Sequence, residues 1–350
     1  MKKLKLQFGG KVTPELKATY EKSSNWKDGK FENLEETSMS LSFWDISELL
    51  YKQFCSKENR VPENPIPIVP FDKDQFLDES KEVKFIWYGH SAILMRNAGK
   101  TILIDPMLGP NASPIAPYKT ARFSEGSLDV IDAFPPIDLI MLSHDHYDHL
   151  DLDSIMKLKE KTTRFCVALG VKRHLVKWGV RADHIQEFDW WDTANFDGID
   201  VTLTPTRHFS GRGITDRAKS LWGGWVFKSS KHNIWFSGDG GYGKHFKEIG
   251  ERLGPFDFGF MECGQYNEKW RPIHMFPDEA VQAAIDAHVK FSMPVHWCGF
   301  ALSQHSWTEP VEEYLKHAKK INHSAIFPRI GQLVDLEQGL KFEAWWKTHT

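Results

Sequence analysis

The six positions from His144 to His149 read HDHYDH, three histidines and two aspartates in succession. Imidazole and carboxylate groups at that density are the chemistry of a cation site, since both ligate borderline divalent metals. His144 and His146 are two residues apart, so an extended backbone projects them to the same side, where both can reach one ion. Asp148 and His149 follow at a turn, point elsewhere and can hold a second ion close by. A lone histidine is more often a core or surface residue than a ligand. Here the cluster closes the apolar run Ile137–Leu142, which has the composition of a strand buried on both faces. Polar side chains at such an end would cost roughly 2–7 kcal/mol each without partners, so metal binding is the expected role.

The elements that must position these groups alternate between strand and helix. Short strands are expected at 83–88, 92–96 and 101–105, a helix at 150–161, a strand at 165–169 and a helix at 171–178. Strands at 199–205, 222–227, 233–236, 256–261 and 291–295 follow, with helices at 277–288 and 308–321 and a final strand. Four strands deliver His144, His208, Asp239 or His296 at or just beyond their C-terminal ends, where α/β proteins gather their active sites. Asp239 sits between Gly238 and Gly240, and close backbone approach there suits a bridging carboxylate. His174, His184, His232, His245, His288, His317, His323 and His349 fall on predicted helices, turns or the tail and read as structural or surface residues. His90, His274 and His305, near the loops of the expected site, stay open. The stretch 106–136, rich in Pro, Gly and Ser, is expected to overhang the site.

Residues 1–40 are polar and lysine-rich and are expected to form an extended or loosely attached arm that drapes over the main domain. At 42–54, Phe43, Ile46, Leu49, Leu50 and Phe54 recur at helical spacing. That helix is expected to pack its apolar stripe on the domain; contact with a lipid surface is the alternative. The chain thus divides into an N-terminal arm and helix at 1–82 and one domain at 83–350.

A net charge of −3, from 44 basic and 47 acidic residues without a basic stripe, excludes nucleic acid as an expected partner. Four cysteines, none in a C-x-x-C pair, fit a reducing compartment and give no thiolate metal site. The N-terminus lacks the apolar core of a signal peptide and no run reaches the length of a membrane span, so cytoplasmic residence is expected, with peripheral membrane contact left open.

The H-x-H-x-D-H pattern in SHDHYDHLD resembles the metallo-β-lactamase superfamily. HSAILM at His90, IDPMLGPNASP at 104–114, HFSGRGITDRAKSLWGGWVF at 208–227, FSGDGGYGKHFKEIGERLGPFD at 236–257 and VHWCGFAL at 295–302 resemble its branch of N-acylphosphatidylethanolamine-hydrolysing phospholipases D and their bacterial relatives. The resemblance implies an α/β fold, the four-layer αβ/βα sandwich, with two metals in a cleft at its edge. It implies that His144, His146 and His208 hold one Zn2+, that Asp148, His149 and His296 hold a second, and that Asp239 bridges them, the ions lying about 3.5–4 Å apart. Iron or manganese also suits these ligands. His274 matches a histidine near the family's substrate phosphate and is expected to act with Asp148 and Asp239 in catalysis. GDGG at 238–241 stands where GDTG is more usual, and CGQY at 263–266 departs from a small-residue version; both bear on the pocket.

The expected activity is hydrolysis of a phosphodiester lipid by a hydroxide formed between two cations, giving phosphatidic acid and an N-acylethanolamine. The alternative is a lactonase of the same superfamily, sugar-phosphate lactones included, which would take a small ester instead. A non-catalytic metal module is disfavoured by the complete ligand set. Dimers occur in the family, so a homodimer is the expected assembly.

Overall fold

Strands apolar on both faces must be covered on both faces, and the fold meets that demand with two sheets packed together and helices outside them. The computed structural model describes residues 2–38, 59–78, 82–113, 120–213, 215–338 and 342–349. After a small hairpin, β1 (Trp26–Lys27) and β2 (Lys30–Phe31), the first sheet comprises β3 (Lys84–Trp87), β4 (Ile93–Asn97), β5 (Lys100–Ile104), β6 (Ile137–Leu142), β7 (Thr162–Ala168) and β8 (Ile185–Phe188). The second comprises β9 (Thr193–Phe196), β10 (Ile199–Thr204), β11 (Gly224–Lys228), β12 (Asn233–Phe236), β13 (Phe256–Glu262), β14 (Val289–Val295) and β15 (Ser324–Ala325), and β16 (Leu333–Asp335) returns to pair with β3.

Each sheet joins an antiparallel half to a parallel half. In the first, the order is β16-β3-β4-β5-β6-β7-β8, parallel from β5 onward; in the second it is β15-β14-β13-β12-β11-β10-β9, parallel from β12 to β15. Phe85 of β3 meets Phe258 and Phe260 of β13 at ring-centroid distances of 5.2 and 4.9 Å, so a single core lies between the sheets. The helices Pro277–Asp286 and Glu309–Lys320 cover β13 and β14, while Leu152–Leu158 turns Leu152, Ile155 and Leu158 inward after β6. This is the four-layer αβ/βα sandwich that the resemblance implied.

Beyond the expected elements, β8, β9 and the helix His245–Leu253 are present, the last carrying a buried face of Phe246 and Ile249. The N-terminal arm lies against the domain, where Trp178 Nε1 donates to Leu6 O at 2.7 Å, and it carries short helices and a hairpin of its own. Thr13 caps the helix Pro14–Tyr20 by accepting from Leu16 N, with Pro14 in its first turn. Tyr20, Trp26 and Phe31 then form a buried aromatic cluster with centroids 4.8–5.7 Å apart. Three large rings supply apolar area that a count of lysines conceals. The helix expected at 42–54 lies outside the described residues.

Candidate metal centre

The loop after β6 is shaped by two aspartates that are not themselves at its tip. Asp105, at the end of β5, accepts from Ser143 N (2.8 Å) and Ser143 Oγ (2.5 Å) and lies 2.8 Å from His149 Nδ1. Asp145 turns away from the cleft into a buried network, accepting from Ser220 Oγ (2.6 Å) and Gly211 N (2.7 Å) and lying 3.1 Å from His174 Nε2. With these two carboxylates pinning the backbone, His144, His146, Asp148 and His149 face one another's space rather than the solvent.

The sequence-predicted ligands come together in two groups. His144 Nε2 and His146 Nδ1 are 2.9 Å apart, and His208 Nε2 is 3.2 Å from His146 Nδ1, three ring nitrogens converging on one point. In the second group, Asp148 Oδ2 lies 3.6 Å from His149 Nε2 and 3.9 Å from His296 Nε2. Asp239 stands between the groups, with Oδ2 at 3.0 Å from His149 Nε2 and 4.0 Å from His144 Nε2, and Oδ1 at 3.2 Å from His296 Nδ1. Glycine is required beside it: Gly238 has φ +65°, and a Cβ there would meet Gly223 O at 2.4 Å.

The donor set fits cations. His149 is oriented by Asp105 at Nδ1, so its Nε2 faces the Asp239 carboxylate, an arrangement that a metal ion between them satisfies. His149 Nε2 and Asp239 Oδ1 are buried and make no aligned hydrogen bond among the described residues, despite their short separations from neighbours. His208 Nδ1 lies 3.0 Å from Ile273 O and His144 Nδ1 2.9 Å from Ser143 Oγ, partners of the kind that orient metal-ligating imidazoles. Burial, reinforced by neighbouring imidazoles, pushes His144, His208 and His296 well below the usual histidine range, and burial takes His146 down to about 4. These rings are therefore neutral, the form that binds metals. Burial raises Asp239 to about 6, against the pull of His149. His149 alone among these imidazoles is raised: burial opposes its charge, but Asp239, Asp148 and Asp105 together outweigh it.

The three histidines left open by the sequence all sit at or near the site. His90 is fully buried, with Nε2 at 2.9 Å from Asp148 Oδ2 and its ring 4.0 Å from that of His296. Its left-handed backbone (φ +55°) is locked by reciprocal bonds, His90 N to Trp297 O (2.8 Å) and His296 N to His90 O (2.9 Å). His274 lines the cleft, and its Nδ1 is 3.1 Å from Glu262 Oε1. His305 is one step back, its Nε2 accepting from Gln265 N. The histidines read as structural do stay outside the cleft; His174 binds Asp145 and His245 is buried beside Phe246.

Sequence reasoning passed over two residues. Glu262 ends β13 and its Oε2 accepts from Met275 N (2.9 Å); burial pushes its carboxyl well above the ordinary range. The strand-end pattern that marked His144 and His296 would have marked it too. Asn33 grips His208 through both backbone groups, its Oδ1 accepting from His208 N (3.0 Å) and its Nδ2 donating to His208 O (2.8 Å). No sequence signal marks that contact. Among its described residues the segment 106–136 contributes none to the lining of the cleft of about 240 Å³, which is walled by Phe209, Gln265, Trp270, Ile273 and Leu302. Buried Arg122 of that segment ties the carbonyls of Gly109 and Tyr88, and Met107 and Ala112 pack with Phe300 and Leu302 behind the wall. Residues 114–119 are outside the described residues.

Two sheets of this topology carrying paired His/Asp clusters at one edge define a metal-dependent hydrolase of the metallo-β-lactamase superfamily, and the comparisons agree. The profile of the Beta-lactamase superfamily domain matches residues 100–297, and the chain belongs to that family. It is 36% identical over 337 residues to an uncharacterised protein of Mycobacterium tuberculosis, covering 95% of this chain and 90% of that one. It is 28% identical over 296 residues to the N-acyl-phosphatidylethanolamine-hydrolyzing phospholipase D 1 of Caenorhabditis elegans, covering 81% and 78% of the two chains. In fold it resembles a metallo hydrolase from the hyperthermophilic archaeon Ignicoccus hospitalis, with a TM-score of 0.57 at 20% identity over 75% of this chain and 99% of the other. Among the described residues no helix is long and apolar enough to cross a membrane.

Proposed function

We propose that the chain is a binuclear phosphodiesterase of phospholipase D type, acting on N-acylphosphatidylethanolamine-like lipids. The observation that carries this reading is the position of Asp239 between two sets of ring nitrogens and within 3.0–4.0 Å of members of both. His144, His146 and His208 would hold one ion, Asp148, His149 and His296 the other, with Asp239 shared; zinc is the first expectation, iron or manganese the alternatives. When bound, such ions acidify a water towards neutrality and offset charge on phosphoryl oxygens. The named phospholipase D relative supplies the substrate class.

The protein's own groups have separate tasks. Asp148 and Asp239 keep carboxylates at the centre of a site whose other groups are imidazoles. His274 stands at the cleft wall with Nδ1 facing Glu262 across 3.1 Å. A proton shared across that contact leaves Nε2 as the nitrogen turned to the substrate, placed to bond a phosphoryl oxygen or to pass a proton to the departing alcohol. Phe209, Trp270 and Leu302 keep the small cleft apolar at its rim, which limits water around the reacting ester.

The test is metal content of the purified protein together with hydrolysis of phosphodiesters and lactones, before and after chelation. About two metals per chain with chelator-sensitive phosphodiester cleavage supports the reading. Lactone cleavage alone keeps the site and replaces the substrate class.

A further inference from the structure

The metal cleft does not end at His208. On the far side of that residue a second cavity, of about 650 Å³, opens between residues 30–37 and the loop that follows β10. The two spaces share His208, Phe209 and Ile273 as a common wall. The two spaces thus adjoin at Phe209.

Among the described residues Arg217 and Glu36 are charged side chains in that cavity that make no ion pair. The Arg217 guanidinium rests over the Phe209 ring, 3.9 Å from its centroid, and the same ring meets His146 edge-to-face at a centroid distance of 4.6 Å. One aromatic ring thus touches both a cation and a metal-facing imidazole. Among the described residues Arg217 makes no ion pair, although three glutamates line the same cavity. Two of these are engaged elsewhere: Glu32 lies 3.7 Å from Lys30 Nζ, and Glu35 accepts from Lys244 N at 2.8 Å. Arginine held on an aromatic face, with its donors free, is suited to carboxylate or phosphate recognition. The remaining lining is mixed: Asn33, Thr37 and Lys30 supply polar groups, and Phe31, Leu34, Ala218 and Trp222 apolar surface.

We propose that the cavity between residues 30–37 and Arg217 is a subsite for a second acidic group of the substrate, a carboxylate or phosphate borne on the arm of the scissile ester that passes Phe209. The subsite rests on the hydrolytic reading above and deepens it: the preferred substrate carries an anionic group on that side.

The experiment compares two diesters on the metal-loaded enzyme, methyl p-nitrophenyl phosphate and the analogue whose methyl is replaced by a five-carbon chain ending in a carboxylate. Wild type favours the carboxylated diester in kcat/KM by about tenfold or more, the effect of one charge-assisted hydrogen bond at a partly exposed site. Arg217→Ala brings the ratio to near one, and Arg217→Lys keeps part of it. A ratio near one in wild type, or a preference that survives Arg217→Ala, overturns the subsite. If neither diester is cleaved, the phosphodiesterase reading fails separately, and the same pair is run as p-nitrophenyl acetate against p-nitrophenyl hemiglutarate. There the ratio and its response to Arg217→Ala decide the subsite by the same criteria.

Discussion

Asn33→Ala removes a residue more than a hundred positions from the metal-binding motif, and the structure predicts that it weakens the metal site. The amide makes two bonds to the backbone of His208, at 3.0 and 2.8 Å, and Oδ1 accepts a third from Trp222 Nε1 at 3.1 Å. Trp222 Nε1 keeps Thr206 O, also at 3.1 Å, so its loss is discounted. The His208 N–H and C=O belong to a residue only 1% exposed, and leaving such groups unpaired costs about 1–3 kcal/mol each. Water from the adjoining cavity recovers part of this, which leaves about 2 kcal/mol. If that cost falls on holding His208 at its 3.2 Å distance from His146, metal affinity drops about 10- to 30-fold. Competition with a chromophoric chelator measures it directly, and thermal unfolding of the metal-free protein separates it from general destabilisation. Thr37→Ala serves as the control, because Thr37 lies on the same segment but bonds Arg207 rather than His208. A folded Asn33→Ala protein whose metal affinity and kcat/KM stay within twofold of wild type would refute the reasoning.

Other substitutions test other parts of the site. Asp239→Asn removes the charge shared by both ligand groups and is expected to lower metal content below one ion per chain, with activity lost; elemental analysis reads it, and normal turnover with both ions retained would sink the bridging role. His90→Ala deletes the 2.9 Å contact to Asp148 and is expected to lower affinity for one ion about 10- to 100-fold while the other is retained, as two-phase chelator titration would reveal. His274→Ala should lower kcat about 10²- to 10⁴-fold, Glu262→Gln less, and the double variant no further than His274→Ala, since the two residues act through one contact; additive losses in single-turnover rates would separate them. His245 is held down to about 3 by burial, and its Nε2 has no hydrogen-bond partner among the described residues. Between pH 6 and 4 the unfolded chain binds a proton there and the folded chain does not, so stability falls with falling pH. His245→Phe is expected to flatten that slope by about 1.4 kcal/mol per pH unit in urea unfolding, and an unchanged slope would rule His245 out as a contributor.

How far the sequence was legible follows from where each constraint is stored. The metal motif is local: His144, His146, Asp148 and His149 lie within six positions, and the strand that delivers them is apolar enough to identify without its neighbours. His208, Asp239 and His296 were legible because strand ends repeat one geometry, and the same rule, applied to the end of β13, reaches Glu262. The helices and hairpin of the arm were not legible because polar composition dominates residues 1–40 and masks the few buried rings, Tyr20, Trp26 and Phe31. The path of the described part of 106–136 was not legible for a related reason. Its direction is set by Arg122, whose bonds go to backbone carbonyls, and backbone partners leave no trace in side-chain identity.

The same distinction explains why the substrate is harder to read than the metals. A metal site needs side chains of fixed type, so composition records it. The pocket beside it is built partly from an arm whose contribution is positional: Asn33 matters because it reaches the backbone of His208, and Arg217 because Phe209 carries it beside His146. Either residue elsewhere on the surface would be ordinary. Substrate choice in this chain therefore rests on the docking of residues 2–38, and a variant that loosens the arm without touching any metal ligand, such as Tyr20→Ala, is expected to broaden substrate preference before it lowers metal content. Parallel measurement of the diester ratio and of bound metal decides the order, and metal loss at an unchanged ratio would return specificity to the cleft alone.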